Sequence, residues 1–133
     1  SFIQATYSDS KWKVYLYTLK GGETVKIINC TPHPVVVVGE QGKTVFEPSG
    51  NVPRLETNTQ KAGWIDDIPL VRNTLGEVVG LPEPADGVVY IVSFLVCQAC
   101  PDRADLVAPD TTPESVVRDE NGRIVGVRRF QKV

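Results

Sequence analysis

Glu114-Ser-Val-Val-Arg-Asp-Glu-Asn-Gly-Arg-Ile-Val-Gly-Val-Arg-Arg-Phe130 is the stretch whose reading decides the fold class. Asn121-Gly122 stands between two β-branched runs, and that pair accepts the positive φ angles of a type I′ turn. The stretch therefore predicts a hairpin centred on Asn121-Gly122. Upstream, the same grammar repeats. Turn clusters at Gly21-Gly22, Gly39 to Gly42, Pro48-Ser49-Gly50, Leu81 to Pro84 and Asp86-Gly87 separate short apolar runs.

Those runs read as strands. Lys11 to Leu19 alternates and is rich in aromatic and β-branched residues, and Thr24 to Asn29 is a second strand. The four valines Val35 to Val38 predict a strand buried on both faces or a tightly packed edge. Lys43 to Phe46 then returns to close a hairpin. Val52 to Glu56 and Ile68 to Thr74 are further strands, and Pro53 and Pro69 push them toward sheet edges or strand starts. The one segment with helix signals is Phe94 to Cys100, with Ser93 as its cap and Pro101 as its stop. It is apolar nearly all round, so a helix there is expected to be buried.

Together these signals predict a mainly β (β-rich α+β) fold. The expected architecture is a compact antiparallel sheet, barrel-like or sandwich domain with one or two short helices. All 133 residues are expected in one domain, residues 24–130 forming the core and residues 1–23 an N-terminal strand or arm. Phe2, Ile3, Tyr7, Trp12, Tyr15 and Tyr17 would let that arm dock on a neighbour.

With 41% hydrophobic and 23% charged residues, the chain carries enough apolar surface to offset its conformational entropy. A net charge of −2 gives no long-range reason to expect nucleic acid or a membrane surface as partner. No apolar run approaches the roughly 20 residues that span a bilayer. No charged-then-apolar leader stands at Ser1, and three cysteines cannot all pair within one chain. The expectation is a cytoplasmic (host-cell) or virion protein.

Chemistry-bearing residues are few. Cys30-Thr-Pro-His33 and Cys97-Gln-Ala-Cys100 use every cysteine and the one histidine. Two such pairs have the spacing of a Cys3His zinc tetrahedron. Against that site, Cys97 and Cys100 lie inside an apolar run, where cysteine is commonly a packing residue. His33, held stiff between Pro32 and Pro34, is either a general base beside a cysteine nucleophile or a structural residue. The structural reading is favoured, with Thr31 and His33 making hydrogen bonds where the next strand begins. Asp66-Asp67, Asp102, Asp105, Asp110 and Glu114 read as solvated turns rather than as a calcium loop. Arg118, Arg123, Arg128, Arg129 and Lys132 give the last hairpin a positive excess that could contact phosphates or an acidic partner, although strand alternation would point Arg128 and Arg129 to opposite faces and leave no single basic stripe. Thr31, His33, Arg118, Arg128 and Arg129 are thus the candidate binding residues. Phosphate-cradle, dinucleotide and serine-hydrolase motifs are all missing.

Three stretches, Asn29 to Val35, Gly76 to Ser93 and Arg103 to Asp110, resemble a family of small uncharacterised proteins encoded by tailed phages and bacteria. The resemblance covers about Ile27 to Phe130 and implies a phage or prophage setting, with no activity to transfer. In that family an aliphatic residue stands where this chain has Cys30, which counts against a shared Cys3His site.

The functional expectation is a non-enzymatic structural or protein-interaction domain, a phage accessory or virion component without a cofactor. It would act on other protein chains through a β surface or by self-association. Two alternatives stand beside it: a small zinc-stabilised module using Cys30, His33, Cys97 and Cys100, and an enzyme or small-ligand binder centred on His33.

Overall fold

The computed structural model describes residues 3–7, 13–18, 22–40 and 42–133. Ile3–Tyr7 (β1) pairs antiparallel with Lys13–Thr18 (β2), which pairs antiparallel with Thr24–Asn29 (β3). Val35–Gly39 (β4) and Gly42–Phe46 (β5) form the expected valine hairpin. Arg54–Ile65 (β6) and Ile68–Val79 (β7) form a second, far longer one. The remaining elements are Val88–Ile91 (β8), Phe94–Ala99 (α1), Leu106–Pro109 (β9), Val116–Arg118 (β10), Ile124–Val127 (β11) and Phe130–Gln131 (β12).

These strands build a six-stranded sheet ordered β1-β2-β3-β8-β9-β12, a four-stranded sheet ordered β10-β11-β4-β5, and the separate β6-β7 ribbon. Among the described residues the fold is mainly β, with one short helix, and no barrel closes. The antiparallel expectation holds only in part, because β3, β8 and β9 run parallel, as do β4 and β11. Parallel strands need cover on both faces, and the sequence supplies it. Ile27, Ile91 and Val107 face one way, against Val35, Val37 and Phe46 of the smaller sheet. Ile28, Tyr90, Val92, Leu106 and Ala108 face the other way, against Val96 and Cys97 of α1. Alternation along each strand thus feeds two cores, one between sheets and one under the helix. Phe46 and Phe130 meet in the first at 6.1 Å between ring centres.

Four sequence expectations are sharpened. Ser93 caps α1, its hydroxyl accepting from the Val96 amide at 3.4 Å, and Cys100 closes it. Only Val96 and Cys97 of that helix are buried, and Leu95 lies 55% exposed, so one face packs and the other meets solvent. The valine strand is interior to its sheet, but Val36 to Val38 are only half-buried. The terminal hairpin forms, yet not through a type I′ turn: Gly122 has φ +80° while Asn121 does not have positive φ. Asp119 Oδ1 accepts from the amides of Asn121 and Arg123, and the Gly122 amide donates to the Asp119 carbonyl at 3.0 Å, so the turn begins one residue earlier, at Asp119, and Gly122 takes the bulge position.

Of the strand-or-arm expectation for residues 1–23, the described residues 3–7 and 13–18 form strands. β1 and β2 are strands of the large sheet, while Ser1, Phe2, Trp12 and Leu19 lie outside the described residues.

Close backbone approach is decided at Gly126, where a Cβ would lie 2.9 Å from the Val36 carbonyl oxygen and 3.2 Å from Val38. Gly126→Ala is expected to cost about 1–3 kcal/mol, as overpacking does, by forcing β11 off β4. Urea unfolding checks it, and a midpoint equal to that of the parent chain would refute it.

Candidate functional site

The segment around His33 carries the chain from β3 in one sheet to β4 in the other. Asn29, fully buried, governs it. Its Nδ2 donates to the carbonyls of His33 at 2.9 Å and Phe46 at 2.8 Å. Its Oδ1 accepts from the Thr31 amide at 2.9 Å and lies 2.7 Å from the Thr31 hydroxyl. That hydroxyl also reaches the His33 carbonyl at 2.9 Å, so its single proton is shared between the two acceptors. Ser49 completes the junction, donating its amide to the Asn29 carbonyl at 2.9 Å. Thr31 and His33 are therefore structural in the expected place, but His33 acts through its carbonyl and its ring lies on the exposed side. Sequence reading missed Asn29 itself. The available signal was an Asn two residues before a Thr at a strand end, the pattern of an Asx turn.

Cys30, Cys97 and Cys100 share the core under α1 and are all free thiols, the first two buried. Burial pushes the Cys30 thiol up, only partly opposed by its hydrogen bond with Ser49. Burial, then the nearby Cys100, raises Cys97. Both hold their protons at neutral pH, the reverse of what a nucleophile needs. Among the described residues no group of three or more His, Cys, Asp or Glu side chains is arranged to hold a metal ion. The structure does not bring the four residues of the zinc alternative into one tetrahedron.

The arginines are drawn into the frame. Arg118 Nη1 donates to the Gly122 carbonyl at 2.6 Å, bracing the hairpin turn. Arg128 and Arg129 lie just past β11, where the chain passes to β12 in the other sheet, and not on alternating strand positions. Buried Ser115 holds that corner by accepting the Arg128 amide on its carbonyl at 2.8 Å. Arg128 Nη1 also donates to the Val116 carbonyl at 3.2 Å, and Arg129 Nε donates to Asp110 at 2.6 Å. No basic stripe results.

Two carboxylates also depart from the solvated-turn expectation. Asp110 is buried against Arg129, whose guanidinium, with the Thr112 amide, holds its carboxyl below the ordinary value of 3.8. Asp105 takes a two-pronged contact from Arg103, both at 2.8 Å, with the same downward effect. The same Arg103 donates to the Pro82 carbonyl at 2.8 Å and so anchors the proline loop before β8.

What remains unabsorbed is the β6-β7 ribbon. Its strands are 12 residues each, about 40 Å long at the usual rise per residue. Only its base packs, with Leu55 and Val78 half-buried and α1 alongside. Every residue from 56 to 75 is exposed. Trp64 is 68% exposed, Ile65 61%, Ile68 60% and Val71 53%. The turn is Asp66-Asp67, with Asp66 at φ +54°, a conformation that aspartate tolerates better than most residues. Sequence reading found the two ends but not the length, because Glu56 to Lys61 shows no apolar alternation. A ribbon wet on both faces has no reason to show any.

Comparison of the chain with protein-family models, with curated proteins and with solved structures finds no match. Among the described residues no helix is long and apolar enough to cross a membrane.

Asn29→Ala is expected to cost about 2–4 kcal/mol, since it removes the bonds that two carbonyls accept and that Thr31 donates. His33→Ala should stay within about 0.5 kcal/mol, because the backbone carbonyl survives. Chemical unfolding of both variants checks the pair, and equal losses would refute this division.

Acid sensitivity follows from the two depressed carboxyls. Their folded pKa lies below the ordinary 3.8, so their stabilisation is present above that value and is lost as pH falls from it through the lower folded value. Unfolding midpoints should fall on acidification from about pH 5 toward pH 3. Asp105→Asn and Asp110→Asn should each lower stability at pH 7 and flatten that acid limb. A limb unchanged in both variants would refute the assignment.

Proposed function

We propose that this chain is a non-enzymatic structural or protein-interaction domain that docks on other protein chains through the β6-β7 arm. The observation that carries the reading is an arm of two 12-residue strands whose distal residues 56–75 are all exposed yet rich in large apolar side chains. A two-stranded ribbon is marginal by itself in water, and exposed apolar clusters of this size mark interaction sites. Chain and chemistry are spent on a projection whose distal residues add nothing to either core.

The tip chemistry favours protein over the other partner classes. Asp66 and Asp67 sit at the extreme end, where entry into a bilayer would drag two carboxylates into the headgroup region and beyond. The same charges repel a nucleic-acid backbone. An apolar protein surface that leaves the turn in water suits both the ring of Trp64 and the paired carboxylates. A phage accessory or virion role belongs to this proposal and is supported by the resemblance of Asn29 to Val35, Gly76 to Ser93 and Arg103 to Asp110. The buried, protonated Cys30 and Cys97 thiols give the enzyme and zinc alternatives no comparable support.

A photoreactive residue at position 64 or 68, introduced in the cell that makes the protein, tests the reading. Covalent protein adducts are expected from both positions and not from a control at position 86, on the loop before β8. Lack of any adduct from the tip would overturn it. Replacing residues 57–75 with a short glycine turn should leave the thermal midpoint within a few degrees, because the removed segment packs against neither core.

A further inference from the structure

We propose that Cys97 and Cys100 are a redox-modifiable dithiol, closing to a disulfide across the last turn of α1 when a low-molecular-weight disulfide such as oxidised glutathione is present.

The two cysteines stand three positions apart at the end of one short helix. At that spacing the Cα atoms of an α-helix lie about 5 Å apart, inside the window of roughly 4.4–6.8 Å that disulfides occupy. Cys97 belongs to the core under α1 and Cys100 packs against that same core, so both side chains come to one side of the helix. The thiols also lie within electrostatic reach of each other, since Cys100 adds to the burial that keeps Cys97 protonated.

The backbone holds this spacing. The Cys100 amide donates to the carbonyls of Val96 at 3.1 Å and Cys97 at 3.2 Å, and the Cys100 carbonyl accepts from the Arg103 amide at 3.1 Å. As the cap residue, Cys100 has φ −127° and ψ 63°, off the helical values. Its Cα is therefore fixed by hydrogen bonds, while its Cβ is not tied to the direction a helical residue must take. Cys30 shares the core but not the pairing. Its thiol is engaged by Ser49 at the crossing from β3 to β4.

Exposure sets the order of events. Cys100 is half-buried and meets solvent, whereas Cys97 is 2% exposed. The Cys100 thiol gives its proton to water, and its sulfur attacks one sulfur of oxidised glutathione. The glutathione S–S bond breaks, a mixed disulfide forms on Cys100, and the first glutathione leaves as a thiolate that takes up a proton. Cys97 then gives up its proton and attacks Cys100 Sγ, which breaks the mixed disulfide and releases the second glutathione. The two cysteines are oxidised by two electrons, and one oxidised glutathione is reduced to two thiols. Burial denies Cys97 the first attack but not the second, because the sulfur it attacks is one helical turn away.

The reduced full chain, incubated with oxidised glutathione near pH 8 without denaturant, is then unfolded, alkylated with N-ethylmaleimide and digested with trypsin. Residues 73–103 form one tryptic peptide with both cysteines, and Cys30 falls in another. The peptide 73–103 should be unalkylated and lighter by two hydrogens, with Cys30 alkylated. Cys97→Ala should stop the reaction at its first stage, raising the glutathione adduct on Cys100 about tenfold over the parent chain. Cys30→Ala should leave closure unchanged. The disulfide pattern of the parent chain does not depend on how either variant folds. Three alkylated thiols after excess oxidant would overturn the proposal, as would a disulfide from Cys30, a lasting glutathione adduct on Cys100 of the parent chain, or closure that occurs only in urea.

Discussion

The amide of Asn29 holds the point on which the two-core arrangement depends. There the chain leaves a strand buried on both sides and must enter the other sheet, exposing several backbone groups to an apolar surrounding. One side chain with two donors and one acceptor oxygen answers the carbonyls of His33 and Phe46 and the amide of Thr31 together. An aliphatic residue would fill the volume and leave those groups without that bond, at a cost set by desolvation rather than packing.

The same solution recurs at the other crossing. The buried polar residues among those described are Asn29, Ser49, Asp110 and Ser115. Two serve the passage from β3 to β4, and two serve the region where the chain passes from β11 to β12. No buried side-chain polar atom among the described residues lacks a partner. Among the described residues, buried charged and amide or hydroxyl side chains stand where strands change sheets, and the cores between them are aliphatic, aromatic and thiol. This also explains why Thr31, Arg128 and Arg129 resemble a binding set in sequence. They are polar residues clustered near turns because sheet crossings need them.

The arm obeys the opposite economy. The sandwich binds its apolar groups inside and its polar groups at corners, whereas β6 and β7 leave Trp64, Ile65 and Ile68 in solvent. Its strands are held by each other's hydrogen bonds and by a base against α1, and residues 56–75 contribute to neither core. Core and exposed ribbon are thereby separated along the chain, one in strands that alternate and one in strands that do not.

What the sequence determined by itself is what short-range physics encodes. Thr24–Asn29, the valine hairpin, the Ser93 cap and the presence of a terminal turn were legible because alternation, capping and glycine placement act within a few residues. The tertiary structure decided the rest. Whether β3, β8 and β9 run parallel depends on cover from α1 and the second sheet, which no local pattern announces. Asn29 looks like a strand end until the carbonyl of Phe46, 17 residues away, arrives beside it. The ribbon's length was hidden because periodicity records burial, and a strand buried on neither face leaves no period to read.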